Sequence, residues 1–250
     1  MVDLKKDMLF CLLRYGALYD EYFLYQFENK NKEYRHSFIT ENNRYLYWNK
    51  LNRRKNKILF DDKWKTYQIF QKYFKRDVVC IRNQNDRGVF REFVLKHPRF
   101  ILKPLSLSSG KGISMIHINE KDDISTLFQE LLKKVPFIIE ELIVQSDAMS
   151  RLHPQSVNTV RINTILTGKK KIGYEVHILW LFLRMGKNES IVDNAGAGGI
   201  LASIDPKTGI VTTIGYDEAN NQYVSHPNTG ITIKGFEIPR WEEAFNIAKE

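Results

Sequence analysis

Residues Lys103 to Ser114 read "KPLSLSSGKGIS". Whether a strand or a helix follows this loop decides which fold class the chain can belong to. An apolar run, "RFIL", precedes it, and a second apolar run, "ISMIHI", overlaps its end. Short apolar runs bounded by proline, glycine and serine are typical of two strands joined by a turn. A P-loop or a dinucleotide-binding loop would instead lead into a helix, and the glycine and hydroxyl spacing of those motifs is missing. The stretch therefore predicts a pliable loop between two strands.

The same loop has the composition of an anion-binding turn. Its hydroxyl groups, glycines and lysines are Ser106, Ser108, Ser109, Gly110, Lys111 and Gly112, with Lys103 at its start. Glycine lets backbone N–H groups turn towards an oxyanion, and lysine adds positive charge. Such a loop can close over a polyphosphate like a flap. The alternative is an ordinary β-hairpin turn.

The remaining patterns indicate an α+β protein whose second half is largely antiparallel. Residues 3–27 have helical spacing with a break at Gly16, whereas 29–57 is polar and predicts a short helix and a linker. Strands are predicted at "VVCI", "FIIEEL", "VNTVRINTIL", "GYEVHILWLFLRM", "GILASID" and "IVTTIGYD", with a hairpin turn at "GKKK" and a final helix at "RWEEAFNIAKE". These elements divide the chain into an N-terminal helical region and linker (1–59), a smaller lobe with the glycine-rich flap (60–141) and a larger lobe (142–250).

Composition limits the function classes. The 250 residues carry a formal net charge of +9, which favours an anionic partner without choosing among nucleotides, nucleic acids, acidic glycans and membrane surfaces. Cys11 and Cys80 lie far apart in apolar settings and predict buried free thiols rather than a metal site or a disulfide framework. No run reaches the ~20 apolar residues that a membrane-spanning helix needs, and no signal peptide is recognisable, so we expect a cytoplasmic protein.

Several polar groups lie where predicted strands end or face a cleft. Glu140 and Glu141 close an apolar strand, and alternation points only one of them inwards. Asp147 follows about two helical turns later and is a second acidic candidate for a ribose hydroxyl. In "VNTVRINT", one strand face carries Arg161 between a threonine and an asparagine, which suits a cleft that holds phosphate. Exposed strand ends and an exposed sheet face are the structural alternatives.

A second glycine-rich turn, "DNAGAGGI", begins with Asp193 and Asn194. A flexible loop is its simpler interpretation. The histidines form no pattern typical of zinc ligands, and no hydrolase motif is present.

Taken in order, these motifs resemble the sugar-transfer-associated ATP-grasp proteins found among bacterial polysaccharide-synthesis genes. The resemblance rests on Lys-Pro followed by the Ser/Gly/Lys turn, the Glu-Glu strand end, "VNTVRINT", "DNAGAGG" and "HPNTG…GFEIPRW". It extends to "RHSFITENN" (35–43) and "FDDKWKTYQIF" (60–70), and so covers nearly the whole chain. The family is related to α-L-glutamate ligase-like proteins.

The resemblance implies a fold, a reaction and a set of roles. Two α+β lobes with antiparallel sheets would sandwich ATP, which phosphorylates a carboxylate to an acyl-phosphate that an amine or similar nucleophile then attacks. The implied nucleotide-binding residues are Lys63, Lys103, Ser108, Ser109, Gly110, Lys111, Gly112, Glu140, Glu141 and Asp147. Arg161 and Asn194 would face the phosphates or the acyl-phosphate. Partners would be ATP, the carboxylate of a sugar or polysaccharide precursor, and an amine or amino acid, in capsular or cell-surface polysaccharide synthesis.

One departure from the pattern concerns Mg²⁺. ATP-grasp enzymes usually take its ligands from strands near the C-terminus, and the corresponding strands would follow the "IPRW" helix, in which this chain ends. Asp193 is then the one carboxylate we would name for the metal. We expect a C-terminally incomplete larger lobe, explained by a fragment, by a split or decayed gene, or by a partner chain that completes the site.

Two rival functions follow from the same residues. The chain can be a non-catalytic module that binds a nucleotide or an anionic glycan. It can also bind nucleic acid, which the charge of +9 suggests, but basic residues are scattered and no RNA-binding signature is present, so we expect no nucleic-acid partner. Peripheral association with membrane glycosyltransferases is left open.

Overall fold

The computed structural model describes residues 3–107, 111–169 and 173–250. The chain divides into two compact units, Met1–Phe70 and Gln71–Glu250. The α-helices are α1 Leu4–Tyr15, α2 Tyr19–Leu24, α3 Lys32–His36, α4 Glu41–Leu51, α5 Arg54–Asp61, α6 Lys63–Phe74, α7 Arg87–Lys96, α8 Ile124–Leu132, α9 Asp147–Ser150 and α10 Trp241–Ile247. The strands are β1 Val78–Ile81, β2 Arg99–Pro104, β3 Ser114–His117, β4 Phe137–Glu141, β5 Thr159–Lys169, β6 Gly173–Met185, β7 Ile200–Ser203, β8 Gly215–Tyr216 and β9 Gln222–Tyr223.

The first unit is helical and has its own small core. The Asp3 side chain accepts from the backbone N–H of Lys5 to begin α1, and Gly16, at φ +68°, ends it, which confirms the predicted break. Cys11 is buried in the aromatic core behind this helix. Arg35 is buried as well, and its guanidinium donates two hydrogen bonds, of 2.7 and 2.8 Å, to the carboxylate of Asp7.

The segment 29–57, predicted as a short helix and a linker, is more helical than expected. It forms α3, α4 and the first half of α5. Neither α4 nor α5 buries a residue. The apolar residues of α4 do not gather on one face, so α4 lacks the apolar stripe from which a helix is recognised in a sequence. The next helix, α6, departs from helical geometry at Phe70, where the two units divide.

The second unit contains two antiparallel sheets, one on either side of the predicted lobe boundary at 141/142. The first sheet has the order β1-β4-β2-β3. Apolar side chains of α7 and α8, among them Phe90, Phe93 and Phe128, pack with Phe100, Leu102 and Ile139 of the strands into one core. Because strand side chains alternate between faces, residues 101 and 103 of β2 and 138 and 140 of β4 lie on the opposite face.

The second sheet has the order β5-β6-β7-β8-β9. Leu181, Leu183 and Met185 of β6 face a core that includes Ile200 and Trp241. A bulge between Asn163 and Thr164 leaves Leu179 without a partner in the ladder.

The strand predicted at "IVTTIGYD" is confirmed only in part: residues 215–216 form β8, whereas Ile210 and Val211 form isolated bridges. The backbone at Gly215 packs closely against β7, because an added Cβ would lie 2.5 Å from a methyl carbon of Ile200. This close packing, rather than a long strand ladder, holds the segment in place.

The overall class is the predicted one: mixed α and β, with two antiparallel sheets. Among the described residues, no helix combines the length and the apolar character needed to cross a bilayer.

Candidate functional site

A three-residue ion cluster lies on the face of the first sheet that α7 and α8 leave free. Glu140, at the end of β4, is 4% exposed. Its Oε2 accepts from Lys103 Nζ at 2.8 Å and from Arg76 Nη2 and Nε at 2.9 and 3.0 Å. The two cations outnumber the carboxylate, so the cluster keeps a net charge of +1. One buried carboxylate therefore holds Lys103 in position while a positive charge is left for an anion.

The neighbouring glutamate points the other way. Glu141 pairs in register with Phe100, whose side chain is in the core on the helix side of the sheet. Glu141 Oε2 accepts from the backbone N–H of Asp77 at 3.0 Å. Strand alternation predicts that only one of the two glutamates points inwards; Glu140 is the buried one, and Glu141 lies beside Asp77 and His97.

The glycine-rich loop is described only in part. Ser108, Ser109 and Gly110 lie outside the described residues, and so do residues 170–172 of the predicted "GKKK" turn. Lys111 is exposed and begins the return towards β3. Gly112 has a φ of +73°, and an added Cβ would lie 2.8 Å from Pro104 Cγ, so the far side of the loop passes closely over the proline that follows Lys103.

A matching arrangement lies on the second sheet. Thr159 of β5 and Arg184 of β6 are register partners. Both donate to the buried carboxylate of Asp193, the threonine through its hydroxyl and the arginine through Nη2 at 2.7 Å. Two residues further along the same face of β5, Arg161 is exposed. Partial removal from water lowers the pKa of Arg161, the charge of Arg184 lowers it further, and that of Asp193 opposes both.

Among the described residues, the guanidinium of Arg161 makes no hydrogen bond or ion pair. It is therefore a cation presented on the sheet face and available to an anionic ligand. Asn194, its predicted companion, turns its side chain to the backbone: Oδ1 accepts from the N–H of Gly196 at 3.3 Å and begins the short 3₁₀ turn 195–197. The structure thus brings Arg161 close to Asp193, while Asn194 shapes the turn that carries Asp193.

The described residues do not form a site that suits Mg²⁺. Both carboxylate oxygens of Asp193 are engaged, by Thr159 and Arg184, so a metal would have to displace an arginine. The one group of three metal-ligating side chains among the described residues is Asp77, His97 and Glu141. Lys96 Nζ and His97 Nε2 already donate to Asp77 Oδ2, at 2.6 and 2.8 Å. A hard cation that prefers several free oxygens fits neither place.

A Glu-x-Asn sequence does occur after Arg161, at Glu218–Asn220, and sequence reasoning missed it. It forms the turn between β8 and β9, where Asp217 accepts from Lys187 Nζ at 3.0 Å. Glu218 is exposed, and its carboxylate lies near Gly196 in the second glycine-rich turn. A single exposed carboxylate in a turn does not make a metal site, so the motif alone carries no assignment.

Two predicted residues lie at helix starts. Lys63 begins α6 in the first unit, and Asp147 begins the four-residue α9, where it is exposed. Sequence reasoning missed Arg76 and Arg184, the two arginines that hold Glu140 and Asp193. Arg184 left a signal, since it is the one charged residue in the apolar run "LWLFLRM". Arg76 left none, because its partner is 64 residues away.

Comparison with solved structures gives distant similarities. They include N5-carboxyaminoimidazole synthetase from Staphylococcus aureus complexed with ADP, at 13% identity over 72% of this chain and 53% of that chain, with a TM-score of 0.35. The ATP-grasp ligase PsnB complexed with minimal precursor follows at 13% identity, over 79% of this chain and 62% of that chain, with a TM-score of 0.29. The D-alanine-D-alanine ligase from Coxiella burnetii has 12% identity over 75% and 53% of the two chains and a TM-score of 0.32. The chain thus spans between about half and three fifths of the length of these proteins.

No curated protein matches the chain. The profile of the family described as sugar-transfer associated ATP-grasp matches residues 42–250, which include both sheets, both ion clusters and both glycine-rich turns. The chain therefore belongs to the sugar-transfer associated ATP-grasp family.

Proposed function

We propose that this protein binds ATP and uses it to join a carboxylate to an amine or a similar nucleophile in cell-surface polysaccharide synthesis. The observation that carries the proposal is the position of Lys103 within the matched family region. It lies on the free face of the first sheet, next to the glycine-rich loop, and is held there by Glu140 at 2.8 Å. A cation fixed before the ligand arrives stabilises phosphate charge without reorganisation.

The reaction has two balanced steps. A carboxylate oxygen of the substrate attacks the γ-phosphorus of ATP, the bond from that phosphorus to the ADP oxygen breaks, and an acyl-phosphate forms. The amine nitrogen then attacks the acyl carbon, phosphate leaves, and the nitrogen loses a proton. Lys103 would neutralise charge on the phosphates in the first step, and the loop from Ser108 to Gly112 would cover them. Arg161 would face the carboxylate that becomes the acyl-phosphate.

The test is titration calorimetry with Mg-ATP. Replacing Lys103 by alanine should weaken ATP binding at least tenfold, which corresponds to about 1.4 kcal/mol. The variant should still fold, because Arg76 continues to neutralise Glu140. Lys121→Ala is the matched control, since Lys121 is an exposed lysine of the same lobe. Equal affinities of the wild type and Lys103→Ala would contradict the site assignment.

A second candidate function is a module that binds a nucleotide or an anionic glycan without catalysis. The observation in its favour is that the described residues form no site that suits Mg²⁺. Release of ADP in the presence of uronic acids and amines separates the two. ATP binding without ADP release from any pair of substrates would favour the binding module.

A further inference from the structure

The open face of the second sheet carries an exposed aromatic residue beside Arg161, whose guanidinium has no partner in the part of the chain that the structure describes. Residues 160, 162, 181 and 183 face the core of this lobe, so residues 161, 163, 180 and 182 lie on the other face. In register, Arg161 is opposite Phe182 and Asn163 is opposite Trp180. Trp180 is 54% exposed. The exposed ring and the guanidinium therefore offer one ligand both an apolar surface and a positive charge.

The β-bulge explains why Trp180 is on this face. Ile178 packs against the core, as Leu181 does, although three positions separate them and simple alternation would place them on opposite faces. Leu179 is the extra residue that absorbs the difference. Bulges of this kind re-aim side chains and occur often beside active sites. The bulge places His177, opposite Ile165, and Trp180, opposite Asn163, on the same face of the sheet. Without it, strand alternation would put His177 and Trp180 on opposite faces.

The polar groups on this face match one class of ligand. Two arginines, 161 and 184, and one aspartate, 193, leave a net charge of +1, which suits one carboxylate better than a triphosphate. Asn163 Nδ2 is buried and makes no hydrogen bond among the described residues, so it is a donor in need of an acceptor. An aromatic ring, an amide donor and an arginine side by side can take the apolar face, a hydroxyl group and the carboxylate of one sugar ring.

We propose that this face binds an acidic sugar, a uronic acid residue of a glycan or glycan precursor, with the ring on Trp180 and the carboxylate on Arg161. Only one part of this proposal rests on the proposed function, namely that the carboxylate of the bound sugar is the group that ATP phosphorylates. Binding of the sugar itself requires no ATP and is tested without it.

The experiment uses the full chain and methyl β-D-glucuronide, observed by saturation-transfer-difference NMR and by titration. The neutral methyl β-D-glucoside is the matched ligand. We expect the glucuronide to bind at least tenfold more tightly than the glucoside, with transfer to its ring protons. Trp180→Ala should weaken glucuronide binding at least fivefold, whereas Trp180→Phe should keep most of it. Trp48→Ala, at a residue that is 44% exposed in the first unit, should leave it unchanged.

Arg161→Gln separates charge from stacking, because it should abolish the preference for the glucuronide over the glucoside. Absence of glucuronide binding, or equal binding of the two glycosides by the wild type, overturns the inference. Displacement of the glucuronide by ADP, together with a loss of ADP affinity in Trp180→Ala, also overturns it and makes Trp180 a base-stacking residue of the nucleotide site. ATP binding that depends on Lys103 without glucuronide binding rejects this inference alone, and glucuronide binding without ATP binding rejects the ligase proposal alone.

Discussion

Replacing Glu140 by glutamine should destabilise the second unit, because Glu140 is the counter-ion of two cations. Arg76 and Lys103 each place a nitrogen within 3.0 Å of Glu140 Oε2. Glutamine keeps the shape of the side chain but removes the charge, so two neighbouring cations would be left to repel each other in a place where the carboxylate is 4% exposed.

Removing one partner of a buried ion pair costs about 3–5 kcal/mol. We expect about 2–3 kcal/mol here, since the Arg76 and Lys103 side chains are 19% and 24% exposed and can regain some hydration. At an m value of about 2.5 kcal/mol/M, this loss lowers the urea midpoint by about 1 M. Urea unfolding followed by circular dichroism measures it.

The matched control is Glu243→Gln, which breaks a surface pair with Arg240 whose side chains are 53% and 79% exposed. An exposed pair of this kind contributes at most about 1 kcal/mol, so the control midpoint should stay close to that of the wild type. The double variant Glu140→Gln, Lys103→Met should lose less unfolding free energy than the sum of the losses of the two single variants. It removes one of the two cations together with the carboxylate, and so removes their repulsion. If Glu140→Gln unfolds at the wild-type midpoint, Glu140 is not the counter-ion of this cluster and Lys103 is not held by it.

Two further predictions concern the second sheet and its surroundings. Gly199→Ala should lower the melting temperature more than Gly198→Ala in thermal unfolding. A Cβ at Gly199 would lie 2.4 Å from the carbonyl oxygen of Asp193, whereas a Cβ at Gly198 would meet open space and strain only the backbone, at φ +87°. The reverse order would contradict the packing of this turn. His226 is buried, and burial lowers its pKa, as does the charge of His153, while its hydrogen bond to the Gly186 carbonyl opposes the shift. Unfolded histidine titrates near pH ~6.5, so the unfolded chain binds the extra proton first, and stability should fall as the pH drops below that value by at most about 1.4 kcal/mol per pH unit. His226→Gln should show a shallower dependence between pH 7.5 and 5.5 in urea unfolding, and an unchanged slope would mean that His226 does not titrate there.

Strands β1 to β7 could be predicted from sequence because each has an apolar run with clear ends. "VVCI" and "GYEVHILWLFLRM" correspond to β1 and β6 residue for residue. The failures have physical reasons. Helix α4 buries nothing and its apolar residues are spread around the helix, so its sequence carries no periodic signal. The segment before Gly215 has β-forming residues, but contacts with distant residues, such as the bridge from Ile210 to Glu237, decide its path.

The candidate site could be predicted only in part, for a related reason. Lys103, Glu140 and Arg161 were recognised because each is a polar residue at a defined place on or beside an apolar strand. Their partners were not, since an ion pair across 64 residues leaves no local pattern. The family resemblance gave both glutamates a nucleotide-binding role, whereas the register separates them onto two faces, as strand alternation predicts.

Each of the two sheets carries two cations beside one buried carboxylate. On the first, a buried glutamate neutralises one of two cations and leaves Lys103 beside the glycine-rich loop. On the second, a buried aspartate binds Arg184 and leaves Arg161 on the open face. Glu140 holds Lys103 by direct contact, whereas Asp193 holds Arg184, the neighbour of Arg161. In each case the cations exceed the carboxylate by one. Such a face attracts an anion, and the buried carboxylate limits the repulsion between the two cations. The net charge of +9 is therefore less informative than these two local excesses, which place one positive charge beside the glycine-rich loop and another beside an exposed aromatic ring.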